Sequence, residues 1–289
     1  MSSPVPNIFS MPPPRLTLTQ RMSSAMTSIP LPLMILTTII VICIVIVYIV
    51  VKFKSGYMKS VNMLQDPVIL SNPMAGDFMT CASAKLPASN NGTEYSYSMW
   101  LFVDNLNITA DPKPVLYRGN SQSLSNGCFY VYMDAKTNKL YASAATNASV
   151  PVSSFADIQA DKKTFLQSTI DYIPLQRWVN VLYSIKDTVM TTFLDGELYS
   201  VTSMFELPLR ADGSRPLITP HTGDIMLGGK ADMEGFNGYL GNCTYYNFGA
   251  TISDVRGIYD KGPYTRTWFS YLGLGVRSPI YKIDTSNLK

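Results

Sequence analysis

Leu33 to Val51 reads LMILTTIIVICIVIVYIVV, an unbroken apolar run with no charge and only two threonines. As a helix it is long enough to cross a bilayer core of about 30 Å. A core helix of a globular domain is rarely apolar on every face. A secretory h-region is shorter, about 7–15 residues, and ends at a small-residue cleavage site. Here some thirty residues precede the run, Lys52 and Lys54 follow it, and no Ala-x-Ala pattern appears. The run is therefore expected to be a single transmembrane anchor, Leu33, Ile39, Val45 and Val51 marking its course through a lipid bilayer. Arg15 and Arg21 lie before it, and Lys52, Lys54 and Lys59 after it. The positive-inside bias favours a cytoplasmic C-terminal side.

Residues 1–32 are rich in Pro, Ser and Met and contain no acid. They read as a disordered tail, with Pro12-Pro13-Pro14 able to form a short polyproline II segment. The formal charge of the chain is +3. No acid precedes residue 53, and only Arg15, Arg21 and Lys52 are basic up to there, so beyond it 20 bases balance the 20 acids. A neutral domain without a basic stripe gives no electrostatic footing for nucleic acid, and none is expected as a partner. Cys43 lies in the anchor. Cys81, Cys128 and Cys243 are widely spaced and odd in number, which is not a disulfide framework. One disulfide with a leftover thiol, or three reduced cysteines, both fit.

Residues 52–93 read as a stalk and lead-in, with Pro67, Pro73 and Pro87. From Glu94 the pattern changes. Tyr95–Val103 alternates polar and apolar residues, the period of a strand. Val115–Arg118 is a short strand, and Cys128–Asp134 and Lys139–Ala145 flank a four-residue turn as a hairpin. Within Arg177–Met204, Val179, Val181, Tyr183 and Ile185 share one face. Asp195-Gly196 is a two-residue turn signal between Val189–Leu194 and Leu198–Ser203. Ile225–Leu227 and Phe236–Phe248 are further strands, and Ser253–Asp260 is a short helix with Ser253 as its N-cap. Many short strands and sparse helix predict an all-β antiparallel sandwich or barrel.

Several of these segments resemble concanavalin A-like domains, including laminin G-like modules. Tyr97-Ser98-Met99-Trp100-Leu101-Phe102 is similar to their early strand carrying a tryptophan. Arg177-Trp178-Val179-Asn180-Val181 resembles their "W-h-h-v" strand, and Thr192-Phe193-Leu194-Asp195-Gly196 their "l-Y-v-D-G" hairpin. Phe236-Asn237-Gly238-Tyr239-Leu240, then Tyr245-Tyr246-Asn247 and Ser253-Asp254-Val255, resemble the closing strands. The resemblance covers roughly 94–262 and implies a jelly-roll sandwich of two curved sheets. One span, a short stalk and such a sandwich also look like membrane-anchored minor capsid proteins of large icosahedral DNA viruses of algae and amoebae. That likeness rests on architecture and implies a virion internal membrane beneath the capsid, with capsid subunits as partners.

Catalytic groups are not legible. Glycosidase relatives of this fold carry Glu-x-Asp-x-x-Glu on one strand, and a retaining enzyme needs two carboxylates about 5–5.5 Å apart. The four glutamates, Glu94, Glu197, Glu206 and Glu234, fit no such pattern, Glu234 with Asp232 being the nearest pair. His221 is the only histidine and sits in Thr219-Pro220-His221-Thr222-Gly223, which reads as an exposed turn. No Cys-x-x-Cys, Gly-x-Ser-x-Gly or P-loop occurs. No catalytic residue and no cofactor are expected. Calcium, bound by some relatives at the sandwich rim, would have Asp104, Asn105, Asp111, Asp224 and Asp232 as its oxygen donors, though no spacing singles them out. Beyond Gly262, Tyr264, Trp268, Phe269, Tyr271 and Tyr281 alternate with Arg266, Arg277 and Lys282. Aromatics with arginine suit a protein interface. An extension lying on the sandwich fits equally.

The chain is accordingly expected to be a non-enzymatic, membrane-anchored structural protein divided as tail 1–32, anchor 33–51, stalk 52–93, sandwich 94–262 and extension 263–289. The alternative is a membrane-anchored carbohydrate-binding module, lectin-like, with glycans as partners.

Overall fold

The computed structural model describes residues 31–57, 59–64, 67–70, 79–89, 93–120, 123–229 and 233–264. They fall into two compact units, one ending at Gly56 and one beginning at Tyr57. The first unit contains all but the last residue of helix α1 (Leu31–Tyr57). Its side chains from Pro32 to Ile49 are exposed throughout. The two threonines do not interrupt it: Thr37 and Thr38 donate their hydroxyls to the Met34 carbonyl at 2.9 and 2.8 Å. Both threonine hydroxyls are thus satisfied within the helix, as a segment in hydrocarbon requires.

The second unit is a sandwich of two antiparallel sheets. Its strands are β1 (Ser60–Leu64), β2 (Val68–Ile69), β3 (Met79–Cys81), β4 (Tyr95–Val103), β5 (Lys113–Gly119), β6 (Phe129–Met133), β7 (Leu140–Ala145), β8 (Phe165–Ile170), β9 (Trp178–Lys186), β10 (Val189–Leu194), β11 (Glu197–Ser203), β12 (Asp224–Leu227) and β13 (Gly238–Tyr246). One sheet runs β1-β13-β4-β9-β10-β11, with β2 also on β13; the other runs β3-β12-β5-β6-β7-β8. Helix α2 (Phe155–Ala160) follows β7, and α3 (Ile252–Tyr259) follows β13. Strands β1, β2 and β3 come from the stretch read as a stalk. They join both sheets, β1 lying against β13 with Ser60 opposite Tyr246.

Alternation places one face of each sheet in a shared core. Tyr95, Tyr97, Met99 and Leu101 of β4 and Val179, Val181, Tyr183 and Ile185 of β9 meet Phe129, Val131 and Met133 of β6 and Leu140, Ala142 and Ala144 of β7. Asp195-Gly196 is the tight turn expected, with φ of 50° and 83°. Asp195 also accepts the Asn180 amide at 2.8 Å.

Both outer faces carry a smaller apolar cluster under a covering segment. On the six-stranded sheet, Tyr130, Tyr132 and Phe165 lie beneath Val152, Phe155 and Ile158. On the seven-stranded sheet, Leu182, Phe193 and Tyr246 lie beneath Ala250, Val255 and Ile258. The cap of α3 is Thr251, two residues before the serine expected. Thr251 donates its amide and hydroxyl to the Asp254 carboxylate at 3.0 and 2.7 Å. Ser253 instead lies inside the first turn.

Candidate functional site

Three places gather side chains able to bind or respond. The first is the outer face of the seven-stranded sheet. Antiparallel register puts Trp178 of β9 opposite Phe102 of β4, and Phe102 opposite Tyr239 of β13. Their rings form a row, 5.5 Å between Phe102 and Trp178 and 5.9 Å between Phe102 and Tyr239, all three half-buried. Below the row, Trp100 stacks on Tyr259 at 5.3 Å, so α3 covers the next part of the face. Tyr264 packs on Trp178 at 5.6 Å. It is the one aromatic residue of the extension that is described; Arg266, Trp268, Phe269, Tyr271, Arg277 and Tyr281 lie outside the described residues.

The same sheet ends at β11, whose apolar side chains are open. Leu198 is 52% exposed and Val201 54%, and Phe205, just beyond the strand, is 62% exposed with the Arg215 guanidinium 4.4 Å from its ring. A register shift between Thr192 and Phe193 marks a bulge in the β10–β11 ladder. Such a bulge blunts an edge against indiscriminate strand pairing.

The second place is a cleft of about 420 Å³ lined by Thr109, Asp111, Pro112, Ser153, Phe155 and Glu234, among others. Asp111 and Glu234 bring carboxylates to it from two different loops. Ser153 is already committed, its hydroxyl donating to Asp157 at 2.8 Å. Lys113 lies buried nearby and donates to the carbonyls of Asp134 and Ala135 at 3.2 and 3.1 Å. Burial pulls its pKa down against the opposing pull of Asp134 and Glu234.

The third place is an end of the core. His221, expected on an exposed turn, is only 9% exposed. The loop's turn-forming residues gave the local conformation but not its direction, which is inward between the sheets. His221 stacks on Tyr95 at 3.6 Å, and its Nε2 is hydrogen-bonded to the Tyr97 hydroxyl. Its Nδ1 lies 3.5 Å from Cys128 Sγ, and that thiol reaches the Thr222 carbonyl at 3.4 Å. The Arg118 guanidinium, also buried, sits 5.0 Å above the Tyr245 ring and donates through Nε to the Gly223 carbonyl at 3.1 Å. Burial, reinforced by the Arg118 charge, holds the His221 imidazole well below its ordinary pKa. Burial likewise pushes the Cys128 thiol up to about 11, so it is no ready nucleophile.

The residues considered as calcium donors are dispersed. Asn105 accepts from Asn237 at 2.7 Å, Asp224 accepts the Ser83 amide at 2.7 Å, and Asp111 lines the cleft. Asp104 is exposed, and Asp232 lies outside the described residues. Among the described residues no three of His, Cys, Asp and Glu gather as a metal site. Of the anchor positions, Leu33, Ile39 and Val45 are exposed along α1, and Val51 lies within the same helix.

No protein-family model matches the chain, and no curated protein matches it. Among solved structures, the botulinum neurotoxin serotype G binding domain is similar with a TM-score of 0.47 and 11% identity over 71% of this chain and 47% of that one. The serotype D ligand-binding domain in complex with N-acetylneuraminic acid gives 0.44 and 12%, again over 71% and 47%. The Ruminococcus gnavus IT-sialidase CBM40 bound to α2,3-sialyllactose gives 0.44 and 14%, over 70% of this chain and all of that one (100%). The chain spans about half the length of the two neurotoxin chains. The two-sheet architecture rests on the chain's own strand ladders, independently of these neighbours.

Proposed function

We propose that this chain is a non-enzymatic, single-pass membrane-anchored structural protein whose sandwich docks on neighbouring protein subunits. The finer reading is a virion minor capsid protein that tethers an internal membrane to the shell. The observation that carries the docking role is the open apolar strip of Leu198, Val201 and Phe205 along and just beyond edge strand β11, the part of the outer face that α3 does not bury. Contiguous exposed apolar surface on a folded domain marks an interaction site. Helix α1 supplies the membrane end of the tether. The absence of catalysis is part of this proposal: Asp111 and Glu234 come from separate loops, and burial keeps the thiol of Cys128 protonated. Chemical cross-linking of the native membrane or particle tests it. A stoichiometric protein neighbour joined to the sandwich is expected, and a sandwich without one contradicts the reading.

A second reading, a lectin-like module, is favoured by the half-buried row of Trp178, Phe102 and Tyr239, since aromatic faces suit the apolar face of a sugar ring. Binding to a glycan array that is lost in Trp178→Ala, with the fold intact, would support it.

A further inference from the structure

His221 joins the two sheets at one end of the core. Its loop is fastened to the six-stranded sheet side: the Thr219 amide donates to the Ala145 carbonyl at 2.9 Å, and Arg118 holds the Gly223 carbonyl. Its ring reaches across to the seven-stranded sheet, touching Tyr95 and Tyr97 of β4 and stacking at 5.9 Å with Tyr245 of β13. Both ring nitrogens are in use. A consistent arrangement has Tyr97 donating its O–H to Nε2, Nδ1–H donating to Cys128 Sγ, and the thiol donating to the Thr222 carbonyl. It requires the neutral imidazole. A proton on Nε2 would take away the acceptor of the Tyr97 O–H, which would have to turn away in a buried site, and would set a second buried positive charge near the Arg118 guanidinium.

We infer that His221 is an acid-operated latch: the neutral ring pins loop 219–223 across the two sheets, and protonation releases it. The titratable groups facing the ring are Tyr95 and Tyr97 from β4, Arg118 from β5, Cys128 just before β6, and Tyr245 from β13. Burial raises the pKa of all three tyrosines and of Cys128, so each stays neutral through the acid range. Among the described residues Arg118 is the charge that bears on the imidazole, and it opposes protonation. The sign follows. The folded-state pKa lies below that of the free side chain, about 6.5, so the closed state loses ground as pH falls through that value. The loss continues down to the folded pKa. For one proton, the opening equilibrium rises about tenfold per pH unit over this window.

The chain has a single histidine, so its signal is unambiguous. The test is hydrogen exchange of the loop 219–223 amides in the full chain held in nanodiscs, from pH 7.5 to 5, corrected for intrinsic exchange. Protection falling about tenfold per pH unit below pH 6.5 is expected, with His221→Gln abolishing the slope. Protection independent of pH in the native protein, or an acid slope retained by His221→Gln, overturns the latch. Should that variant not fold, proton NMR of the lone imidazole in the native chain decides. A ring that stays neutral while the loop is closed supports the latch, and one that titrates near 6.5 in the closed loop overturns it.

Discussion

The indole N–H of Trp178 donates to the Tyr264 hydroxyl at 3.1 Å, fastening the segment after α3 to the outer face of the seven-stranded sheet. The rings meet edge-on at 74°, so the contact combines a hydrogen bond with an aromatic pair. The chain thereby continues from α3 over the sheet toward the aromatic row, and leaves the described residues there.

Tyr264→Phe keeps the ring and removes the acceptor. It is expected to cost about 0.5–1.5 kcal/mol, the net worth of one hydrogen bond, measured by denaturant unfolding of the sandwich. Tyr264→Ala loses the aromatic pair as well and is expected to cost more. Equal stability of both variants and the native chain would show that this contact contributes nothing.

Gly223 has φ of +91°, and a Cβ there would lie 2.6 Å from the Gly119 carbonyl oxygen. Both backbone strain and collision oppose a side chain. Gly223→Ala is therefore expected to destabilise by about 1–3 kcal/mol and to loosen loop 219–223. Gly213, also at positive φ, has nothing within 4 Å of such a Cβ. Gly213→Ala is expected to cost less, and thermal melts of the two variants check the difference.

Arg118→Met removes the positive charge that opposes His221 protonation. The folded-state pKa of His221 then rises toward 6.5, and the window of acid destabilisation narrows from its low-pH end. Whatever the variant costs at neutral pH, its acid loss is expected to level off at a higher pH than in the native chain, so the total loss is smaller, while burial still keeps the imidazole below 6.5. Unfolding curves at matched pH values measure it; an undiminished acid loss contradicts the assignment of Arg118.

Asp254→Ala removes the carboxylate that accepts both the amide and the hydroxyl of Thr251 at the start of α3. A loss of about 1 kcal/mol is expected from the cap and the helix dipole. Because α3 covers Leu182 and Phe193, increased binding of a hydrophobic dye should accompany it.

Val201→Asp and Phe205→Asp place charge on the open apolar strip. Neither side chain belongs to the buried clusters, so stability should change by no more than about 0.5 kcal/mol. Docking on a protein neighbour should nevertheless be lost, and co-purification from the native membrane measures that.

Much of the fold was legible because alternation and turn chemistry agree. Strands β4 and β10 fall where their patterns put them, and β11 within a residue. Asp195-Gly196 forms the turn its residues demand. Strand β8 was missed because Phe165 packs into the outer cluster while Leu166 faces the main core, so its start reads as no simple alternation. Strands β1 to β3 are short, and β1 exists only through pairing with β13, a partner nearly two hundred residues away. Helix α2 is too short for a helical period, yet Ser154-x-x-Asp157 is a capping box that could have announced it. The candidate sites were less legible still. Trp178, Phe102 and Tyr239 align through strand register, and His221 turns inward through contacts that no local pattern records.

Cross-linking mass spectrometry on the native membrane or particle, reading links from Lys186 and Lys261 of the sandwich, tests the structural role most directly. The account predicts one recurrent protein neighbour at fixed stoichiometry, lost in Val201→Asp. An intact sandwich with no protein neighbour, and a glycan bound instead at Trp178, would contradict it.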